Sequence, residues 1–374
     1  MRVTRRNDWL DLCRALAILL VLLSHGRYFL RPALPWTENL RLGGFIGVEL
    51  FFALSGFLIG GILIRLSSRG GMHWLSEFYA RRWLRTLPNY YLFLLLNVLL
   101  VWIGVYSAGL DSIWKYVVFV QNLFWPHPSF FAEAWSLALE EVFYLLFPAL
   151  FLLLSRVTGM PHVRSILVVA IAVIVLSLLG RLLVSNSIEI WDADLRKVVF
   201  LRFDSLMMGV LLAWLYDQRP GWLKIPGLAT GVMIIFVACI IYYLSASDAD
   251  LNRSFFAKTF YLSFVAIGCA GLLLFGIERR LPSWLATMSS FVARISYSMY
   301  LVNIPVMLIL MHLFGCCDNS LFGAFGMWLS FMVLTLLISH GMYVVYERRF
   351  NGLRDRLFPA TVMSIRGGRS GGHA

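Results

Sequence analysis

Residues 10–26, LDLCRALAILLVLLSHG, form an apolar helical run of membrane-crossing character, yet the run contains Asp11, Arg14 and His25. Ionisable side chains are costly at membrane depth, so by default they face the bundle interior, find partners and mark a working site. The run is too long for a cleavable leader and no small-residue cleavage site follows it, so it reads as a retained span. Eleven residues separate Arg14 from His25. At 100° per residue that lies within about 20° of three whole turns, so both project from one face, about 16 Å apart along the axis. Asp11, three residues before Arg14, is placed to pair with it.

The rest of the chain repeats this apolar theme. Of 374 residues, 60% are apolar and 14% charged, with a mean hydropathy of +0.78. Apolar runs near 20 residues suffice to cross a hydrocarbon layer of about 30 Å. Ten such spans are expected, at 9–29, 43–64, 87–106, 134–155, 165–185, 197–216, 226–246, 257–277, 291–313 and 322–346. The fold class is therefore all-α, a polytopic bundle of about ten transmembrane helices. Segment 113–130 is too short to span, and counting it would place Arg156 and Arg164 outside. With Pro126 and Pro128 it reads instead as a re-entrant or interfacial element. Residues 1–350 are expected to form the transmembrane domain and 351–374 a cytosolic, partly disordered tail.

The net charge of +12 does not call for nucleic acid. With the N-terminus cytosolic, most Lys and Arg fall in cytosolic segments, so positive-inside asymmetry accounts for the excess. Both termini are then cytosolic, in what is expected to be a bacterial inner membrane. Of five cysteines, Cys13, Cys239 and Cys269 fall in spans as small packing residues, while the adjacent Cys316 and Cys317 sit in an outer loop, where neighbours in sequence rarely bridge each other. No metal-ligand spacing occurs, and no metal is expected.

Each ionisable residue in a span needs a partner. Glu49 lies about two turns into the second span, near the depth of His25. Glu140 and Glu141 enter the fourth from outside, with Glu140 the inward choice. Arg181 ends the fifth, and Arg202 and Asp204 open the sixth. The simplest way to satisfy all of these is one buried polar chamber in the outer half of the bilayer. At the opposite mouth, Arg81, Arg82 and Arg85 either anchor the third span or, with Arg82 and Arg85 on one face, grip phosphates. Aromatic residues of outer loops, Trp36, Trp125, Phe130 and Trp191, either stack on sugar or anchor the interface.

Six stretches together resemble the acyltransferase 3 family, membrane-bound O-acyltransferases of cell-surface and exported carbohydrates. These are Arg14 with His25, FFALSGFLI at 51–59, FYARRWLRTLP at 78–88, WSLALEEVFYLLFP at 135–148, RFDSLMMGVLLAW at 202–214 and ISYSMYLVNIPV at 295–306. Two positions depart from the family's usual pattern: Glu49, often Asp, and Asn303, commonly His. No soluble SGNH-type extension, as some relatives carry, is expected here.

The resemblance implies transfer of an acyl group, commonly acetyl from acetyl-CoA, to a carbohydrate hydroxyl. His25 and Arg14 would be the essential pair, and Arg82 and Arg85, with Arg81, would bind the donor. Glu140 would belong to the family's core. Apart from the resemblance, a single chamber would let Asp204 or Glu140 orient the imidazole and Arg202 or Arg181 stabilise the oxyanion. Glu49, Arg181, Tyr300 and Asn303 would face the acceptor. Two other readings stay open: a secondary transporter or flippase for a lipid-linked sugar, and an O-acyltransferase acting on a lipid or small alcohol. The H-x-x-x-x-D signature of glycerolipid acyltransferases is absent, since no His has Asp five residues on.

Overall fold

The computed structural model describes residues 7–67, 73–315 and 320–358. Cys316, Cys317 and residues 359–374 therefore lie outside the described residues. Among the described residues every regular element is helical, and the ten expected spans correspond to ten helices. These are α1 Asp8–Leu30, α2 Arg41–Ser67, α3 His73–Trp102, α4 Ala134–Thr158, α5 His162–Val184, α6 Phe203–Gln218, α7 Leu228–Ser245, α8 Tyr261–Gly276, α9 Ser283–Phe314 and α10 Leu321–Met342. A π-helical turn, Tyr343–Glu347, leads on into α11, Arg348–Leu357.

Eight of the described helices are long and apolar enough to cross a membrane. The two that fall short, α6 and α8, have 16 residues each and are preceded by a short helix, Val199–Leu201 and Phe255–Thr259 respectively. In α6 the start is set back by a polar residue: Arg202 stands at the N-cap instead of lying within the helix. The third helix begins 14 residues earlier than its apolar run, so Arg81, Arg82 and Arg85 are helical residues rather than a flanking segment.

Alternating chain direction puts segments 31–40, 103–133, 185–202 and 246–260 on one face of the bundle, here the loop face. Segments 159–161, 219–227 and 277–282 lie on the opposite, terminal face. At the centre, α2 packs chiefly against α6 and α1, and α1 also against α9. The α2–α6 crossing is close enough to require glycine on both sides. A Cβ at Gly56 would sit 1.9 Å from the Leu206 carbonyl oxygen, and one at Gly209 would sit 2.2 Å from that of Ala53.

Segment 103–133 does not span. It folds as turns around a five-residue helix, Ile113–Val117, and its buried polar side chains tie it to the bundle. Gln121 Nε2 donates to the Ala134 carbonyl at 3.0 Å, and Asn122 Nδ2 donates to those of Trp135 at 3.1 Å and Lys197 at 2.6 Å. Main-chain bonds from Val199 and Phe200 to residues 122 and 123 complete the seam. The cap thus roofs the bundle beside the start of α4.

Candidate active site

A cavity of about 760 Å³ opens among the loop-face ends of α1, α2, α3, α4, α7 and α9. His25 lines it, near the end of α1. Its Nδ1 lies 2.5 Å from Asn303 Oδ1 on α9. The amide of Asn303 is fixed the other way round as well, because Nδ2 donates to the carbonyls of Met299 at 3.1 Å and Tyr300 at 2.6 Å. With the amide nitrogen committed to two acceptors, Oδ1 is the atom that faces His25, and Nδ1 must carry the ring proton. Nε2 is then the basic nitrogen, and it makes no hydrogen bond among the described residues.

The Tyr300 and Ser136 hydroxyls lie 2.6 Å apart, so one donates to the other, and the second donates to the Glu133 carbonyl, 3.3 Å from both. Arg196 and Lys197 share one carboxylate, Asp192, at 2.5 and 2.6 Å, so the group carries one net positive charge toward the cavity. Burial opposes ionisation of Asp192, but the two cations outweigh it and hold the carboxyl well below the usual carboxylate range. The Arg196 guanidinium also lies over the Trp135 ring, 4.8 Å from its centroid. Trp191 is the one expected outer-loop aromatic that lines the cavity; Phe45, Trp135 and Tyr243 join it there.

The other expected site residues are not gathered into this chamber, and the expectation of one shared pocket is corrected by packing. Glu49 and Arg202, both 0% exposed, form a closed pair: Arg202 Nη2 donates to both carboxylate oxygens at 2.6 and 2.7 Å, and Ser205 Oγ donates to one at 3.0 Å. Arg181 and Asp204, also 0% exposed, form a second, at 2.7 Å, bridged by Ser263. Each charge is neutralised within α2, α5, α6 and α8, where no cavity reaches it. Neither Asp204 nor Glu140 contacts the imidazole, whose Nδ1 is held by Asn303.

Glu140 lies instead in a third cluster. It accepts from Ser55 Oγ at 3.0 Å and from the Tyr144 hydroxyl at 2.5 Å, and it pairs with Arg82 at 3.4 Å. Arg82 reaches it from α3 and lies over the Tyr144 ring at 3.7 Å. Toward the terminal face, exposed Arg85 lies within electrostatic reach of Arg14, Arg82, Arg354 and Glu347. Arg85 makes no hydrogen bond or ion pair among the described residues, whereas Arg81 is engaged with Asp355 of α11 at 3.4 Å. Arg14 pairs with Asp11 at 3.8 Å. Val21 and Val48 mark the deepest reach of the cavity along α1 and α2, so Arg14 lies about 10 Å beyond its floor.

Sequence reasoning did not single out Glu133, Asp192, Arg196 or Lys197. The i, i+4 spacing of Asp192 and Arg196 was the available signal.

An all-α membrane bundle with a polar chamber at one face defines a class of integral membrane protein. Comparison with known families matches residues 7–344 to the acyltransferase domain of the acyltransferase 3 family, and the chain belongs to that family. A Bacillus subtilis protein provisionally named a peptidoglycan O-acetyltransferase, YrhL, is 28% identical over 80% of this chain and 48% of its own length. The Listeria monocytogenes peptidoglycan O-acetyltransferase OatA is 29% identical over 44% of this chain and 27% of its own. A provisionally named Staphylococcus aureus O-acetyltransferase is 25% identical over 79% and 50%. The chain thus spans about half the length of the curated relatives it matches along most of its own. No solved structure matches it at a significant level. The relatives it matches are named for O-acetyl transfer.

Proposed function

We propose that this chain carries an acyl group, acetyl by the names of its relatives, from a cytosolic acyl-CoA to a hydroxyl of a cell-envelope carbohydrate in the loop-face chamber. The observation that carries the reading is the fixed tautomer of His25. An imidazole held by Asn303 at Nδ1 keeps its lone pair at Nε2, in a cavity large enough for a sugar.

In this reading the acceptor hydroxyl gives its proton to Nε2 while its oxygen attacks the thioester carbonyl. The carbon–sulfur bond then breaks, and the imidazolium returns the proton to the departing thiolate. The positive charge left by Arg196, Lys197 and Asp192 faces the developing oxyanion, the task that the sequence reading gave to Arg202 or Arg181. Coenzyme A phosphates dock at Arg85 on the terminal face, taken as cytosolic from the distribution of Lys and Arg, with Arg82, which Glu140 and Tyr144 hold, adding charge beside it. The acyl arm passes Arg14 and parts the floor at Val21 and Val48.

The test is His25→Ala in vesicles supplied with acetyl-CoA. General base catalysis is worth typically about 10² to 10⁴-fold, so transfer is expected to fall by that factor while the melting temperature in detergent is unchanged. Activity within twofold of the wild type removes His25 from the chemistry. A transporter would move acceptor without making an ester, so mass spectrometry of the product separates the two readings.

A further inference from the structure

Glu133 stands apart from every other buried acid in the molecule. It immediately precedes α4, is 3% exposed and lines the chamber. Among the described residues it is the one acid with both carboxyl oxygens buried and unpartnered. Glu49, Glu140, Asp204 and Glu347 all have hydrogen-bond donors on at least one oxygen. The main chain of Glu133 is nevertheless held, since its carbonyl accepts from the Ser136–Tyr300 hydroxyl pair. The fold thus fixes the residue and leaves its side chain unsatisfied, beside the tyrosine whose neighbour Asn303 sets the imidazole.

A buried polar group without a partner is costly, and a ligand that satisfies it recovers that cost on binding. We infer that Glu133 is an acceptor-binding residue, its carboxyl receiving a ring hydroxyl next to the one acylated, and that it confers selectivity for sugars bearing that hydroxyl. This inference rests on the carbohydrate reading above.

The chamber's charges favour a hydroxyl over a cation. Arg27 is paired with Glu38, Arg41 with Asp248, and Arg196 and Lys197 with Asp192, so the groups lining the cavity beside Glu133 leave one net positive charge, which opposes an ammonium group. Burial also pushes the Glu133 carboxyl up to about 8, so that at neutral pH it offers both a donor and an acceptor. A hydroxyl, itself donor and acceptor, matches that pair, and the Trp135, Trp191 and Tyr243 side chains contribute apolar wall to the same chamber.

The experiment is a substrate-variant cycle with the full chain in vesicles, acetyl-CoA as donor and a panel of methyl hexopyranosides, N-acetylglucosaminide included, with their monodeoxy analogues. For the wild type, one monodeoxy analogue is expected to lose at least about tenfold in kcat/KM, because its absence leaves Glu133 unpaired. In Glu133→Ala that discrimination should vanish, with a raised acceptor KM and an unchanged donor KM. If the alanine variant does not fold, Glu133→Gln replaces it, with discrimination reduced but not abolished. Undiminished discrimination in the variant overturns the assignment and leaves acyl transfer intact. Failure of the wild type to acylate any glycoside in the panel overturns the carbohydrate reading itself.

Discussion

The Glu49–Arg202 pair and the His25–Asn303 pair are both polar contacts between distant helices in an apolar bundle, yet they are built to opposite ends. In the first, the Arg202 donor spans both Glu49 oxygens and Ser205 adds another donor, with no cavity beside them. In the second, one side of the imidazole is tied and the other is left unpaired at a cavity wall. A carboxylate with both oxygens filled holds helices in register; an imidazole with one nitrogen open to a cavity is ready to exchange a proton. What separates structure from chemistry in a membrane is therefore unfilled hydrogen-bonding capacity that faces a cavity: Arg202 Nε is unfilled too, but it is buried away from the chamber.

The strongest way to break this contrast is at Arg202. Removing one partner of a buried pair leaves an uncompensated charge, at a cost of about 3–5 kcal/mol, so Arg202→Ala is expected to be largely unfolded or to melt far below the wild type. Replacing both partners, as in Glu49→Leu with Arg202→Met, should restore most of the stability, because the apolar substitutes need no solvation. Thermal melting in detergent reads both effects, and acetyl transfer shows whether the refolded double variant still works. Should the double variant fold but stay inactive, Arg202 belongs to the chemistry, as the expectation of one shared chamber held, and the contrast fails.

The spans were legible because each is an apolar run of the right length, and the non-spanning segment near 113–130 because it is too short. The inward residues were legible because charge in a span is costly. What the sequence withheld was pairing. Glu49 and Arg202 are 153 residues apart, and nothing local distinguishes a carboxylate that meets an arginine from one that meets a substrate. The helix starts at Phe203 and His73 were displaced by tertiary contacts that override hydropathy. Glu133 escaped notice because an acid just before an apolar helix looks like a solvated cap, and Arg196 and Lys197 because loop cations are ordinary. Asn303 drew attention as a departure from the family's usual residue, and its contact with His25 gives that departure a physical sense: an amide oxygen still fixes the tautomer.

That sense can be sharpened at Asn303 itself. In Asn303→Ala the imidazole loses its acceptor and both tautomers become available, so kcat should fall by about 10- to 100-fold, part of what the base contributes. The acceptor KM should change little if Asn303 acts through the ring. Asn303→Asp retains an acceptor toward Nδ1 but loses the donations to Met299 and Tyr300, so it is expected to recover part of the rate. An equal loss in both variants would mean that the residue matters for packing in α9 and not for the ring.

The smallest effect is expected at the other mouth. Arg85 is exposed and unengaged among the described residues, whereas its neighbour Arg82 is committed to Glu140 and Tyr144 and Arg81 to α11. An exposed cation in water contributes modestly to a phosphate contact, since solvent screens it and other arginines share the load. Arg85→Ala should therefore raise the KM for acetyl-CoA about three- to tenfold with kcat and melting temperature unchanged, and the increase should shrink as salt rises. Arg81→Ala, by contrast, should leave donor KM alone, because its guanidinium already serves the Asp355 carboxylate. If Arg81 and Arg85 behave alike, the three arginines act as one anchor at the membrane surface, and the donor must enter elsewhere.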